Sequence, residues 1–197
     1  ATGQVSGSWR VGGLVGYQGG SIHNAYATGQ VTSTGNFAGG LVGYQGGSIS
    51  NAYATGSVSG TTRVGGLVGE QRGSISNAYA TGQVSGSDYV GGLVGTQQTD
   101  SISNAYATGL VTGTGHYVGG LVGTQYGSIY NAYATGPVSG TTRVGGLVGY
   151  QSSGSISNAY ATGSVSGSAY VGGLVGYQYS SSISSSYWNT ETAGQAT

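Results

Sequence analysis

Six copies of Asn-Ala-Tyr-Ala-Thr-Gly begin at Asn24, Asn51, Asn77, Asn104, Asn131 and Asn158, each 26 or 27 residues after the one before. A fixed period of this size marks an architecture in which each repeat is one unit stacked on its neighbours. Cutting before each Ala-Thr-Gly gives seven units, 1–26, 27–53, 54–79, 80–106, 107–133, 134–160 and 161–187, with a tail over 188–197. Each unit reads Ala-Thr-Gly-x-Val, then a Val-Gly-Gly-Leu-Val-Gly run, a Gln, and Ser-Ile-x-Asn-Ala-Tyr. Length varies after the first valine and between the Gln and the Ser-Ile pair, which places turns there.

The local pattern is that of strands. Ser-Ile-Ser-Asn-Ala-Tyr-Ala is rich in β-branched and aromatic residues and has no 3.6-residue stripe. Val-Gly-Gly-Leu-Val-Gly is a second short strand whose glycines mark close backbone approach or a bend. Pro137 takes the variable place after Ala-Thr-Gly, so that place points outward or lies at a bend. One unit buries too few apolar side chains to offset the entropy of ordering its own backbone; the remainder must come from neighbouring units. The expected fold is therefore all-β: a β-solenoid with one repeat per coil. Seven coils about 4.8 Å apart make a rod roughly 34 Å long.

In such a stack every repeat position becomes a column. The isoleucines (22 to 183), leucines (14 to 174) and first valines (5 to 165) are expected to form three interior columns. If Ile22 points inward and Asn24 makes a bend, Ala25 and Ala27 point in. Tyr26, Tyr53, Tyr79, Tyr106, Tyr133 and Tyr160 then form an outward row, beside a second of Thr28, Thr55, Thr81, Thr108, Thr135 and Thr162. The opposite parity would turn the tyrosines into core fillers whose hydroxyls need partners. The asparagine column and the glutamine column (Gln18 to Gln178) read as structural ladders, with amides that bond each other and the turn backbone, rather than ligand sites.

Arg10, Phe37, Arg63, Tyr89, Tyr117, Arg143 and Tyr170 form a column of variable, large side chains. A neighbouring column, just before the Gln, reads Tyr17, Tyr44, Glu70, Thr96, Thr124, Tyr150 and Tyr177. Aromatics and guanidiniums in alternation either contact a sugar or a neighbouring molecule, or shield the sheet within the rod. Trp9 and Trp188 lie near the two ends and are expected to cover the open coil faces. Uncovered ends present unpaired strand edges, which favour end-to-end assembly.

Composition narrows the chemistry. Of 197 residues, 44 are glycine and 4% are charged, with zero net charge. That leaves no basic patch for nucleic acid. Cysteine is absent, and no apolar run is long enough for a transmembrane segment. The chain starts at Ala1 and has no Met, so we expect a processed product or an excerpt. The 17 tyrosines and recurrent Val and Ile argue against disorder. Glu70, Asp88, Asp100 and Glu191 are the only acids; they scatter over different columns, as do His23 and His116. Neither a carboxylate pair for acid–base catalysis nor a metal or cofactor site is expected from them. The Gly-Gly-Leu-Val-Gly runs lack the Lys-[Ser/Thr] and helix of a phosphate loop.

The stretch Gly-Gly-Leu-Val-Gly-Tyr-Gln-Gly-Gly-Ser-Ile-Ser-Asn-Ala-Tyr-Ala-Thr-Gly-Ser-Val-Ser-Gly, residues 39–60, resembles the GLUG motif, named for its Gly-Leu-variable-Gly core. Residues 1–187 follow this pattern, and Ser-Tyr-Trp-Asn-Thr-Glu-Thr-Ala-Gly-Gln is similar to segments that close such arrays. The motif recurs in large secreted and surface proteins of bacteria and some archaea, including adhesins and some immunoglobulin-cleaving proteases. The resemblance implies an extracellular or cell-surface location and supplies no catalytic residue.

Three functions fit these observations. The first is a non-enzymatic adhesive or structural rod, a stalk or fibre subunit whose partner is itself. The second is ice binding through the flat Thr and Tyr rows. The third is a carbohydrate-binding module whose exposed tyrosines meet a glycan.

Overall fold

The computed structural model describes residues 1–190 and is all-β: parallel strands wound into a solenoid of about seven turns. Residues 191–197 of the tail, with Glu191, lie outside the described residues. Equal letters meet equal letters along the axis. Ile75 pairs with Ile49 on one side and Ile102 on the other; Ile102 pairs in turn with Ile129. The register is the same in the other sheets, as in Gln71 between Gln45 and Gln97.

Each coil contributes to three sheets. The Val-Gly-x-Gln segments, such as Val68–Gln71, form one; the Ser-Ile-x-Asn-Ala-Tyr-Ala segments, such as Ile75–Ala80, form another. The third has two strips. In the first two coils its strand is continuous, Val5–Gly12 and Val31–Gly39. From the third coil on it is split by a turn, as in Val58–Ser59 and Thr62–Gly65.

The interior is two apolar lobes rather than one. The larger is built from the leucine, isoleucine and alanine columns together with Val42 and its equivalents. The smaller holds the first-valine column against Val11, Ala38, Val64, Val90, Val118 and Val144. Burial of the central coils is complete: Leu67, Leu93, Ile75 and Ile102 are all at 0%. At the ends it lapses, with Leu14 at 43% and Ile183 at 36%, because one side of each terminal side chain has no coil above it.

Glycine permits the close fit between sheets. A Cβ on Gly95 would lie 2.6–2.7 Å from Gly69 O, Arg63 C and Val64 N, all backbone atoms. The Val-Gly-x-Gln strand thus lies directly on the backbone of the neighbouring strip, with no room for any side chain. A second glycine column seats the alanines: a Cβ on Gly66 would be 2.8 Å from the Ala80 methyl, and one on Gly92 would be 2.9 Å from that of Ala107.

The last coil departs from this rule. Tyr160 pairs with Tyr187 and Ala161 with Trp188, so an indole occupies the place of the buried alanine. Trp188 packs against both lobes and lies over Gly173, where a Cβ would be 2.1 Å from the indole ring. Trp188 is therefore the cover expected of it. Trp9 is not: it is 56% exposed on the side of the rod, edge-on to Phe37. Trp9 precedes a left-handed residue on an outer strip, whereas Trp188 inherits an inward-facing place.

Gly95→Ala is expected to lower stability by about 1–3 kcal/mol through forced overpacking, read as a drop in thermal midpoint. Gly20→Ala, with nothing within 4 Å of the added methyl, should change stability by no more than about 0.5 kcal/mol. Trp188→Ala should uncover Leu174, Val171 and Val175; faster amide exchange in the last coil and concentration-dependent association in light scattering would show it.

Candidate functional surfaces

Two outer surfaces carry the candidate residues, and two left-handed residues per coil set their geometry. Asn24, Asn51, Asn77, Asn104, Asn131 and Asn158 have φ between 48° and 52°. Asparagine tolerates this region because its short amide bonds locally. The amides also bond along the axis: Asn77 Nδ2 donates to Asn51 Oδ1 at 3.3 Å, and Asn104 and Asn131 repeat this at 3.2 Å. This is the ladder anticipated from the sequence.

The glutamines behave differently. Gln45, Gln71, Gln97, Gln125 and Gln151 are wholly buried, and their amides do not bond each other. Gln45 Nε2 instead donates to Gly47 O at 2.6 Å in its own turn and to Ser74 O at 3.0 Å in the next coil. Gln71 and Gln125 do the same with Gly73 and Ser101, and with Gly127 and Ser155. Each is a clamp from turn to turn, not a rung. The side chain is inward, so it meets backbone carbonyls before it can meet its neighbour's amide.

The asparagine bend sets the parity of the next four residues. Ala52, Ala54, Ala78 and Ala80 are buried, while Tyr53 and Tyr79 are half-buried on the outer side. Tyr26, Tyr53, Tyr79, Tyr106, Tyr133, Tyr160 and Tyr187 form one continuous stack, with centroids 4.8–5.5 Å apart and planes within 2–7°. Beside it, Thr28, Thr55, Thr81 and Thr108 are exposed and Thr135 and Thr162 half-buried. Stacking covers the ring faces, so this surface presents ring edges and hydroxyls. Burial, then the neighbouring Tyr106 and Tyr160, raise the pKa of the Tyr133 phenol.

The other surface combines the two variable columns. Arg10, Phe37, Arg63, Tyr89, Tyr117, Arg143 and Tyr170 all adopt left-handed backbone, φ 50–65°. Such a conformation costs of order 1–3 kcal/mol for a residue with a Cβ. It directs each side chain sideways over the column that begins with Tyr17. Arg10 lies over Tyr17 at 5.1 Å and Tyr44 at 4.8 Å; Arg63 lies over Phe37 at 5.1 Å and Tyr89 at 5.4 Å. Arg143 sits among Tyr117, Tyr170, Tyr177 and Tyr150, at 5.1 to 6.0 Å. Tyr126 belongs to the same surface, and burial, followed by Tyr150, Tyr89 and Tyr117, raises its pKa.

In the middle is Glu70, 3% exposed. Arg63 Nε stands 3.1 Å from its Oε2 and Arg72 Nε 3.3 Å from its Oε1. Arg72, just past the strand Val68–Gln71, is not among the residues singled out from the sequence, though an opposite charge two residues from Glu70 was the available signal. Thr96 and Thr124, next in the column, are buried at 2% and 1%.

The remaining titratable groups stand apart. Asp88 Oδ1 accepts the His116 backbone N–H at 2.7 Å, His23 bonds Ser50, and Asp100 is exposed. Among the described residues no three His, Cys, Asp or Glu side chains gather where they could hold a metal ion, and no helix is long and apolar enough to cross a membrane.

These coils define a tandem-repeat β-solenoid. The model of the GLUG motif matches residues 7–32, 35–59, 60–85, 86–112, 114–139 and 140–166, and the chain belongs to that family. The last coil, where Ser185, Ser186 and Trp188 replace the usual Asn, Ala and Ala, lies beyond the matched stretches. No curated protein and no solved structure matches the chain.

Raising the Tyr133 pKa ties stability to pH. The unfolded phenol ionises near its ordinary value of 10.0 while the folded one holds its proton, so stability is full below that pH and falls as pH rises through the folded pKa. Stability should therefore decline as pH rises above about 10. Tyr133→Phe should lessen the slope, seen by thermal melts in a pH series.

Proposed function

We propose that this chain is a non-enzymatic structural repeat segment of an extracellular or cell-surface protein, a stiff spacer or fibre element with an adhesive flank. The observation that carries this reading is the unbroken, in-register stack: every coil repeats the same ladders, so length is gained without new folding information. Low charge limits self-repulsion between neighbouring rods. The two variable columns differ from coil to coil, as suits contact surfaces more than core.

Small-angle scattering of the purified chain should give an elongated particle, and immunogold labelling of cells that make it should mark the outer surface. Labelling confined to the cytoplasm would reject the reading. Monodisperse monomers that bind no surface would reject its fibre and adhesive forms.

A second reading, ice binding, is favoured by one observation: a threonine row, exposed at Thr28, Thr55, Thr81 and Thr108, runs just past the strands that carry the tyrosine stack. It predicts thermal hysteresis at millimolar protein, abolished by Tyr106→Lys or Thr108→Lys. Absence of any freezing-point depression removes it.

A further inference from the structure

All four basic side chains of the chain lie on the surface built by the two variable columns: Arg10, Arg63 and Arg143 in one column, and Arg72 with its guanidinium over Tyr44. Arg63 and Arg72 are engaged by Glu70. Arg10 and Arg143 form no ion pair among the described residues, and their Nε atoms are buried without a hydrogen-bond partner. Each is held by aromatic rings alone, at left-handed positions that a glycine or asparagine would fill with less strain. Strain maintained at such positions points to a use for the side chain.

Next to these two guanidiniums are the rings with free surface. Trp9 and Tyr17 beside Arg10, and Tyr170 beside Arg143, are each 56% exposed. Trp9 meets Phe37 edge-on, and Tyr170 meets Tyr177 in the same way, whereas Tyr17 stacks on Tyr44 and, as the first ring of its column, is exposed at the end of that stack. An edge-on ring keeps a face available for an apolar C–H surface. Glu70 shows which anion the surface accepts, since a carboxylate already sits in its centre between two guanidiniums.

We propose that this surface binds a carboxylated polysaccharide, with sugar carboxylates on Arg10 and Arg143 and sugar faces on Trp9, Tyr17 and Tyr170. The inference rests on the adhesive reading of the chain and names its ligand class. A second copy of the chain is a poor partner here: of its described acids, Glu70 is already paired, Asp88 is hydrogen-bonded and Asp100 alone is exposed, one carboxylate for two guanidiniums. Five coils separate Arg10 from Arg143, about 24 Å at about 4.8 Å per coil. A polymer can bridge that span and an isolated uronic acid cannot, so avidity favours the long chain.

The test is biolayer interferometry of the full chain against polygalacturonate, fully methyl-esterified polygalacturonate and poly-glutamate. Esterification keeps the sugar and removes the charge. Binding to polygalacturonate is expected, weakened about tenfold or more by esterification and by the Arg10→Gln/Arg143→Gln pair. Circular dichroism should show the pair folded; if it is not, the esterification arm on the unaltered protein still decides. Equal binding to the esterified polymer, equal or tighter binding to poly-glutamate, or no binding to any of the three would overturn the proposal. None of these results bears on the cell-surface labelling, so the structural reading stands or falls separately.

Discussion

Parallel, in-register stacking of near-identical coils is the constraint that every other feature of this fold obeys. Once Ile75 sits between Ile49 and Ile102, every other position must sit beside its equivalent. A one-residue slip would turn a whole strand's side chains to the wrong face. Length variation is therefore confined to turns. The paired bonds from Gln45, Gln71, Gln97 and Gln125 then tie one turn to the next coil, closing the place where the ladder is interrupted.

Such tight winding needs glycine and alanine as much as the large apolar residues. The columns that include Gly95 and Gly66 let backbone rest on backbone, and small alanines fill the lobe over them. The cost is that a coil of this design has little apolar area of its own. It depends on neighbours above and below, and an exposed end must be managed. Replacing alanine by Trp188 does so at the C-terminal side by covering both lobes with one side chain.

The two outer surfaces obey different physics. Repetition of one tyrosine per coil makes a uniform stack whose faces are spent on each other. Variation among Arg, Phe and Tyr at the left-handed column makes an uneven surface with cation–π contacts, a buried carboxylate and three well-exposed rings. The first is uniform along the rod; the second changes from coil to coil and is the surface on which ligand binding is proposed.

Much of this was legible in the letters. The period gave the coil, the columns and the asparagine bend, because identical spacing repeated along the chain leaves few other ways to bury isoleucine and leucine. Parity at Tyr26 needed the three-dimensional structure, since either face of a strand is open to an alternating pattern until the bend's φ is known. For the glutamines the bond to the turn backbone holds and the amide-to-amide bond does not, because sequence shows that amides align but not that carbonyls lie closer. Trp9 was misplaced because its neighbour Arg10 turns left-handed, which a residue other than glycine or asparagine does not announce. Composition and period by themselves determined a stacked all-β rod; only the tertiary structure decided which side chains share a surface, because that depends on the angle of each corner and not on the order of the residues.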